Sequence, residues 1–245
     1  MCTNRSRYKT GFTLAEVLIT LTVIGVLASL TIPNLMNYFD NMQTVTQLKK
    51  VNVTLAAATS SLVADYGGDL ANSNMFSSGN TAQQNALNVI DAYESKLKFL
   101  ANCGNTDYYN HGTGTATCWP ILQTKYLNAA LGSSNLHSGF NYGRAILLDG
   151  TLFHIYPFAS DCNGSGWGAG IGVLKNSTCG QITVDLNGAK PPNQFGRDIF
   201  CFYITRNNIY PLGAVDSDPG KKDCAISSYG YGCAGKVLTE NAINY

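Results

Sequence analysis

A long apolar run close to the amino terminus limits what this chain can fold into more than any other feature. Between Val17 and Ile32 the polar side chains are all hydroxyls, at Thr20, Thr22, Ser29 and Thr31. Such hydroxyls can bond back to the preceding turn of a helix. Counted from Phe12 to Leu35, the run reaches the roughly 20 residues that a bilayer crossing needs. The sequence therefore predicts a helix that spans a membrane once.

The residues before the run predict its orientation. Arg5, Arg7 and Lys9 precede it, and no acidic residue does. Because cytoplasmic flanks of membrane helices are enriched in Lys and Arg, the amino terminus should stay in the cytoplasm. Everything after Asn34 should then lie outside the membrane.

Glu16 places a carboxylate at the start of the apolar run. An acidic residue costs about 2.5 to 3.5 kcal/mol at the centre of a membrane helix and less near the interface. Glu16 therefore either sits at the level of the lipid headgroups or has a functional role. The residues alone leave both interpretations open.

The segment from Gly11 to Glu16 reads GFTLAE, behind a basic leader and ahead of the apolar helix. It resembles the processing and methylation motif of type IV prepilins and of the related pseudopilins of type II secretion, over about residues 5 to 35. The resemblance implies that a membrane prepilin peptidase cuts after Gly11 and methylates the new amino group of Phe12. It also implies that Glu16 pairs with the Phe12 ammonium of a neighbouring subunit in a filament core.

The same resemblance implies a location and partners. The precursor would lie in the inner membrane, in contact with lipid and with its head outside the cytoplasm. It would then join other pilin subunits, through the inner-membrane assembly platform, in a pilus (fimbrium) or a periplasmic pseudopilus. We expect a structural and minor subunit, because the head is large, and not an enzyme. The alternative is a periplasmic binding or catalytic domain on an uncleaved signal anchor, which would keep the basic leader.

Apolar residues continue past Pro33 at spacings of three and four, as on one stripe of an amphipathic helix. They are Leu35, Phe39, Met42, Val45, Leu48, Val51, Leu55, Ala58, Leu62 and Tyr66, before a stop signal at Gly67 and Gly68. Pro33 lacks a backbone N–H and should kink or locally melt this helix. The predicted organisation is a leader (1–11), a membrane or filament-core helix (12–34), its amphipathic continuation (35–66) and a globular head (67–245).

The fold class is predicted to be α+β. An apolar stripe from Ala86 to Leu100, behind a capping box at Thr81 and Gln84, predicts a second helix that closes at Cys103. Strands are expected over residues 142–149, 151–158, 181–186 and 198–205, the first two joined by an Asp149–Gly150 turn. Helices followed by short strands indicate an antiparallel sheet. The resemblance to pilins implies that such a sheet packs on the upper half of the long helix.

Eight cysteines are present, and seven would remain after loss of the leader with Cys2. A head outside the cytoplasm favours disulfides, and sequence proximity suggests Cys103 with Cys118, Cys162 with Cys179, and Cys224 with Cys233, although connectivity cannot be deduced from sequence. Cys201 is the expected odd thiol because it lies in a β-prone run where a small buried thiol packs well. A zinc site is the alternative, but there is no CxxC pair, and His111, His137 and His154 have no ligand spacing.

A loop over residues 184–200 carries oxygen donors at Asp185, Asn187 and Asp198, and its pattern resembles a loop common in pilin-like proteins. The donors could converge on Ca²⁺, a hard ion that takes about six to eight oxygens. Alternatively, they could form a tight turn in which the carboxylates cap backbone amides. A second and weaker calcium candidate is Asp216 with Asp218 and Gly220. No other cofactor or metal is expected.

Composition and motifs give no support to several other functions, although an enzyme remains possible in principle because catalytic triads are not local in sequence. The formal net charge of +1 gives no basic excess for nucleic-acid binding. Ser160 and Asp161 have no histidine at a plausible catalytic spacing, and His154 is predicted on the solvent face of its strand. The glycine-rich segment 164–172 lacks the lysine of a P-loop. The sequence thus predicts mechanical and adhesive work.

Overall fold

The computed structural model describes residues 11–105, 118–120, 123–134, 141–158, 161–164, 174, 176–214 and 224–245. The chain forms two compact units, an amino-terminal unit that ends at Asn41 and a head unit over Met42–Tyr245. Arg5, Arg7 and Lys9 of the leader lie outside the described residues, as do His111, His137, Ser160, nearly all of the glycine-rich segment and the calcium candidate at Asp216, Asp218 and Gly220. The predicted division into four segments stays a prediction.

Helix α1 spans Leu14–Asp65 and contributes to both units. Its hydroxyl side chains bond back to the preceding turn, as Thr22 Oγ1 does to Leu18 O at 2.8 Å and Thr31 Oγ1 to Leu27 O at 2.9 Å. These bonds satisfy the polar groups of the apolar segment within the helix. Pro33 lies inside α1 without a break in the helix, so the predicted local melting is wrong. A kink at Pro33 stays a prediction.

The predicted apolar stripe is confirmed in the part of α1 that belongs to the head unit. The buried residues of the helix are Val45, Leu48, Val51, Leu55, Ala58, Thr59 and Leu62. They face the sheet side of the head and share one core with it. Leu35, Phe39 and Met42 continue the spacing but are at least half exposed. Helical periodicity nevertheless places them on the stripe.

Helix α2 spans Ala82–Glu94 and is shorter than predicted. Thr81 caps its start by accepting the backbone N–H of Gln84 at 3.1 Å. The Gln84 side chain does not complete the box, because it donates to Asn88 Oδ1. The chain turns after Ser95, and the predicted last stretch of the helix is instead strand β1, Phe99–Gly104.

The main sheet is antiparallel throughout and confirms the α+β class. Its strands are β1, β4 (Gly143–Leu147), β5 (Leu152–Pro157), β6 (Thr178–Asp185), β7 (Ile199–Thr205) and β8 (Ile209–Pro211). In the described residues they lie in the order β1-β4-β5-β6-β7-β8. A small second sheet pairs β2 (Thr124–Lys125) with β3 (Ser133–Ser134).

The predicted hairpin is present as β4 and β5. Gly150 N donates to Leu147 O at 2.9 Å, and Leu147 N donates to Thr151 O at 2.9 Å. The loop is therefore three residues long, with Gly150 in the left-handed region at a φ of 86°. Glycine suits that last loop position because it has no Cβ.

The main core lies between the helices and one face of the sheet. Leu48, Leu55, Tyr93 and Phe153 are all fully buried there. The Tyr93 hydroxyl lies 2.8 Å from Thr59 Oγ1, so the two helices also share a buried hydrogen bond. This arrangement confirms the predicted packing of a long helix on an antiparallel sheet.

The sequence patterns missed β8 and the last helix, α3 (Cys233–Glu240). The opposite sheet face is also covered, partly by a cluster of Leu212, Phe195, Ile199 and Tyr203. His154 points to this face and is only 5% exposed. The prediction of a solvent-facing His154 is therefore wrong.

Candidate functional site

The predicted processing junction lies before the first turn of α1. Gly11, Phe12 and Thr13 are outside the helix, which begins at Leu14. Phe12 is 89% exposed, and among the described atoms, its chain neighbours aside, none lies within 4 Å of the position that a Cβ on Gly11 would occupy. A peptide bond in an exposed, non-helical segment is open to a protease.

Glu16 and Thr13 form a reciprocal capping box at the start of α1. The Thr13 backbone N–H donates to Glu16 Oε2 at 2.8 Å, and the Thr13 hydroxyl donates to the same oxygen at 2.8 Å. In return, the Glu16 N–H donates to Thr13 Oγ1 at 3.2 Å. The sequence TLAE matches the capping-box pattern, a role of this acid that was not predicted beside its membrane and filament roles.

The capping box fixes where the Glu16 carboxylate points. It is turned back towards the amino end of α1, where the partial positive charge of the helix terminus favours an anion. The carboxylate thus contacts Thr13, the residue that follows Phe12. A cut after Gly11 would free the amino group of Phe12. The geometry therefore places an acid beside the predicted new terminus, and its pairing with a neighbouring copy stays a prediction.

Large apolar side chains cover every side of α1 in the amino-terminal unit. They include Leu18, Ile19, Leu21, Ile24, Leu27 and Leu30, each more than half exposed. By length and composition α1 is able to cross a membrane, a test that a signal sequence near the amino terminus also passes. Apolar side chains on all sides indicate a helix that is surrounded by lipid or by other helices.

Disulfides join six cysteines of the described head. The pairs are Cys103–Cys118, Cys162–Cys179 and Cys224–Cys233, the same three that sequence proximity suggests. In these bridges the six sulfurs are not thiolates, the form that binds zinc. Cys201 is a buried thiol in the middle of β7, and its Sγ lies 3.6 Å from Thr183 Oγ1.

The loop between β6 and β7 holds its two acids in a turn. Asp198 accepts the backbone N–H groups of Asn193 at 2.8 Å and Gln194 at 2.6 Å. Asp185 Oδ1 accepts the Asn187 N–H at 3.3 Å. With the amide oxygen and nitrogen of Asn193 exchanged, the orientation that its neighbours favour, the Asn193 side-chain nitrogen donates to Asp185 Oδ2 at 3.2 Å. These contacts are those of the tight turn that was one of the two predicted alternatives.

Both acids of this loop are nevertheless buried, each with 3% exposure. Burial and the neighbouring Asp198 carboxylate raise the pKa of Asp185 to about 8. Burial also raises the pKa of Asp198, against the opposing effect of its hydrogen bonds to Gln194 and Asn193. Asn187 Oδ1 is buried with no hydrogen-bond partner among the described residues. These donors suit a cation, and calcium binding here stays a prediction.

His154 and Asp161, two further residues weighed as catalytic candidates, make contacts that stabilise the fold. His154 stacks on Tyr142, with ring centroids 4.5 Å apart, and lies near Trp119. Asp161 accepts two hydrogen bonds from Ser78, one from its backbone N–H at 2.8 Å and one from its hydroxyl at 2.5 Å. Within the described ranges, no three of the His, Cys, Asp and Glu side chains gather in a way that could hold a metal.

Comparison with known families agrees with the amino-terminal geometry. Residues 6–32 match the family model described as the prokaryotic N-terminal methylation motif. The match confirms the predicted prepilin-like motif and supports a role of the type IV pilin or pseudopilin kind, with membrane anchoring through α1. No curated protein and no solved structure matches the chain.

Proposed function

We propose that this protein is a structural, minor subunit of a type IV pilus or of a type II secretion pseudopilus. The precursor is cut after Gly11 and methylated on Phe12 by a prepilin peptidase, and it assembles through α1 from the inner-membrane platform. The single observation that carries the proposal is the methylation-motif match over residues 6–32. The exposed apolar side chains on all sides of α1 in the amino-terminal unit support it.

In this proposal α1 is stabilised by two environments in turn. Before assembly, lipid covers its exposed apolar residues. After assembly, the same residues pack against helices of other copies, which also removes them from water. An amphipathic surface helix would need only one apolar stripe, so apolar residues on all sides fit a helix at the centre of a bundle.

Glu16 gives the packed helices a defined register. In a low-dielectric bundle a carboxylate and an ammonium attract strongly, and either of them alone is costly. In the single chain the Thr13 N–H and hydroxyl satisfy the carboxylate. On assembly, the Phe12 ammonium of a neighbouring copy supplies the full opposite charge that these neutral donors lack.

Substitution of Glu16 tests the proposal. Glu16→Ala should leave membrane insertion and the head unchanged and should reduce the sheared filament fraction sharply, because the ammonium of the neighbour would be buried without a partner. Glu16→Gln is the matched control for capping, since its side-chain oxygen still accepts the Thr13 N–H. We expect it to assemble as poorly as Glu16→Ala. Wild-type incorporation of both variants would show that the carboxylate has no role in assembly, and absence of the wild-type chain from the sheared filaments would favour the anchored-domain alternative.

A further inference from the structure

A groove runs along the exposed side of α1 in the head unit. One part, about 280 Å³, lies between α1 at Lys50–Leu55, the turn at Lys96–Lys98 and the hairpin loop at Leu147–Asp149. A second part, about 410 Å³, is lined by the same turn and by α1 residues up to Ser61. Small side chains at Thr54, Ala57 and Ala58 line this second part, and such residues let a second helix approach closely.

The edges of this groove are apolar and exposed. Val53 and Leu148 are each at least 60% exposed, yet both line it. Isolated exposed apolar residues are ordinary on a protein surface. Val53 and Leu148 instead border one groove that small residues also line. Such a grouping of exposed apolar residues is typical of a contact surface.

The groove also carries one positive charge without an ion-pair partner. Lys50 Nζ lies 2.8 Å from Asp149 Oδ2, and Lys96 Nζ lies 2.5 Å from Asp65 Oδ2. Both of these lysines are therefore neutralised within the head. Lys98 is exposed, and among the described residues no carboxylate lies within ion-pair distance of it.

The complementary charge lies on the amino-terminal unit. Asp40 is the single acid of α1 between Glu16 and Asp65. It is exposed, and no described cation pairs with it. Met36 lies one turn before Asp40 on the same helix face and is 60% exposed. The adjoining Phe39 is 58% exposed. This short helical surface therefore combines one acid with apolar side chains.

We infer that the groove receives the Met36–Asp40 surface of α1 from a second copy of this chain, with Asp40 paired to Lys98. The inference rests on the proposed filament function and deepens it by naming a contact between subunits. Burial of the apolar side chains supplies the attraction, and the ion pair fixes the register. Because the two surfaces differ, the contact is head-to-tail, and such contacts propagate into open helical filaments unless the rotation closes a ring.

Charge reversal tests the pairing. Lys98→Glu or Asp40→Lys should each lower incorporation of the full chain into sheared filaments about tenfold or more, because like charges across an interface cost several kcal/mol. The double variant should recover most of the loss. Lys49→Glu is the matched control, since Lys49 is an exposed lysine of α1 that does not line the groove, and it should assemble normally. Normal assembly of the single variants, or no recovery in the double variant, would overturn the inference.

Cross-linking provides a second and independent measurement. Copies carrying Asp40→Cys and copies carrying Lys98→Cys, with different tags, are expressed together and oxidised in the assembled state. A disulfide between the two tagged copies is expected, and none between copies that carry Lys49→Cys and Lys98→Cys. No cross-link between filament-incorporated copies, or one only to a different protein, would overturn the inference. Failure of the wild-type chain to assemble at all would instead count against the proposed function.

Discussion

Asp185 should make the head less stable as the pH rises. Its carboxyl is buried, lies near Asp198 and has a pKa of about 8 in the folded chain. An ordinary aspartate in the unfolded chain ionises near 4. Between these two values the unfolded state binds fewer protons than the folded state, so the free energy of unfolding falls with increasing pH. The loss begins near pH 4 and is complete above about pH 8.

The size of the effect follows from the separation of the two pKa values. Each pKa unit corresponds to about 1.4 kcal/mol, so a difference of about 4 units corresponds to roughly 5 kcal/mol if no other group responds. Asp198 titrates with Asp185 as an interacting pair. Several kcal/mol for the pair is therefore the expected magnitude. Asp185→Asn removes the ionisable group and keeps an oxygen that accepts the Asn187 N–H.

The assay is urea unfolding of the full chain in detergent and chelator at several pH values, followed by tryptophan fluorescence. Asp185→Asn should match the wild type near pH 3.5 and exceed it by several kcal/mol at pH 8. Asp161→Asn is a control of opposite sign, because hydrogen bonds from Ser78 lower the pKa of Asp161. Asp161 therefore stabilises the fold above pH 4, and its stabilisation is lost at lower pH. A wild-type stability that stays level or rises from pH 4 to 8, with no gain from Asp185→Asn, would refute the reasoning.

Bound calcium would make the ionised Asp185 carboxylate stabilising at pH 8, whereas without calcium its ionisation destabilises the head. Bound Ca²⁺ would keep both carboxylates ionised and would neutralise their repulsion. If the loop is a calcium site, added Ca²⁺ should raise the wild-type free energy of unfolding at pH 8, and Asp185→Asn should abolish that rise. Equal unfolding curves with Ca²⁺ and with chelator would restrict the loop to the role of a turn.

Three further predictions concern local stability. Thr13→Ala should weaken the start of α1 by about 0.5 to 2 kcal/mol, read as faster amide exchange in its first turn, whereas Thr13→Ser should keep the cap. Leu55→Ala should lower the free energy of urea unfolding by about 2 to 5 kcal/mol, because Leu55 is fully buried. The double change Cys162→Ser with Cys179→Ser opens a bridge with a sequence separation of 17 and should cost about 3 kcal/mol in the same assay. Unchanged values would contradict each of these assignments.

Sequence patterns predicted the features that depend on local periodicity. The spacing from Val45 to Leu62 identified the buried stripe of α1, and alternation around Asp149–Gly150 identified the hairpin of β4 and β5. The predicted end of α2 was wrong because Leu97 and Leu100 keep helical spacing beyond Glu94, where the helix ends. That segment forms β1 through pairing with β4, a contact between residues distant in sequence. Apolar spacing in one segment does not record such pairing.

Tertiary packing explains the remaining differences. Helix α3 is short, has Gly232 as an N-cap without a side-chain hydrogen bond and contains Gly235, so its own sequence favours it little. Burial of Ala234 and Val237 in the main core stabilises it instead. At His154, alternation gave the correct sheet face, but only the folded chain places Tyr142 over that face. The candidate site around Glu16 was predictable because the residues of its motif are contiguous. The hydrogen bonds between Glu16 and Thr13 were not predicted.

The intact mass of the membrane-purified protein is the most direct test of whether the chain is a processed filament subunit. We expect a chain that has lost residues 1–11 and carries one added methyl group on Phe12. Gly11→Ala should retain the leader, because a side chain there hinders a protease that recognises glycine. An unmodified chain with the leader still attached, recovered from cells that process other prepilins, would contradict the claim.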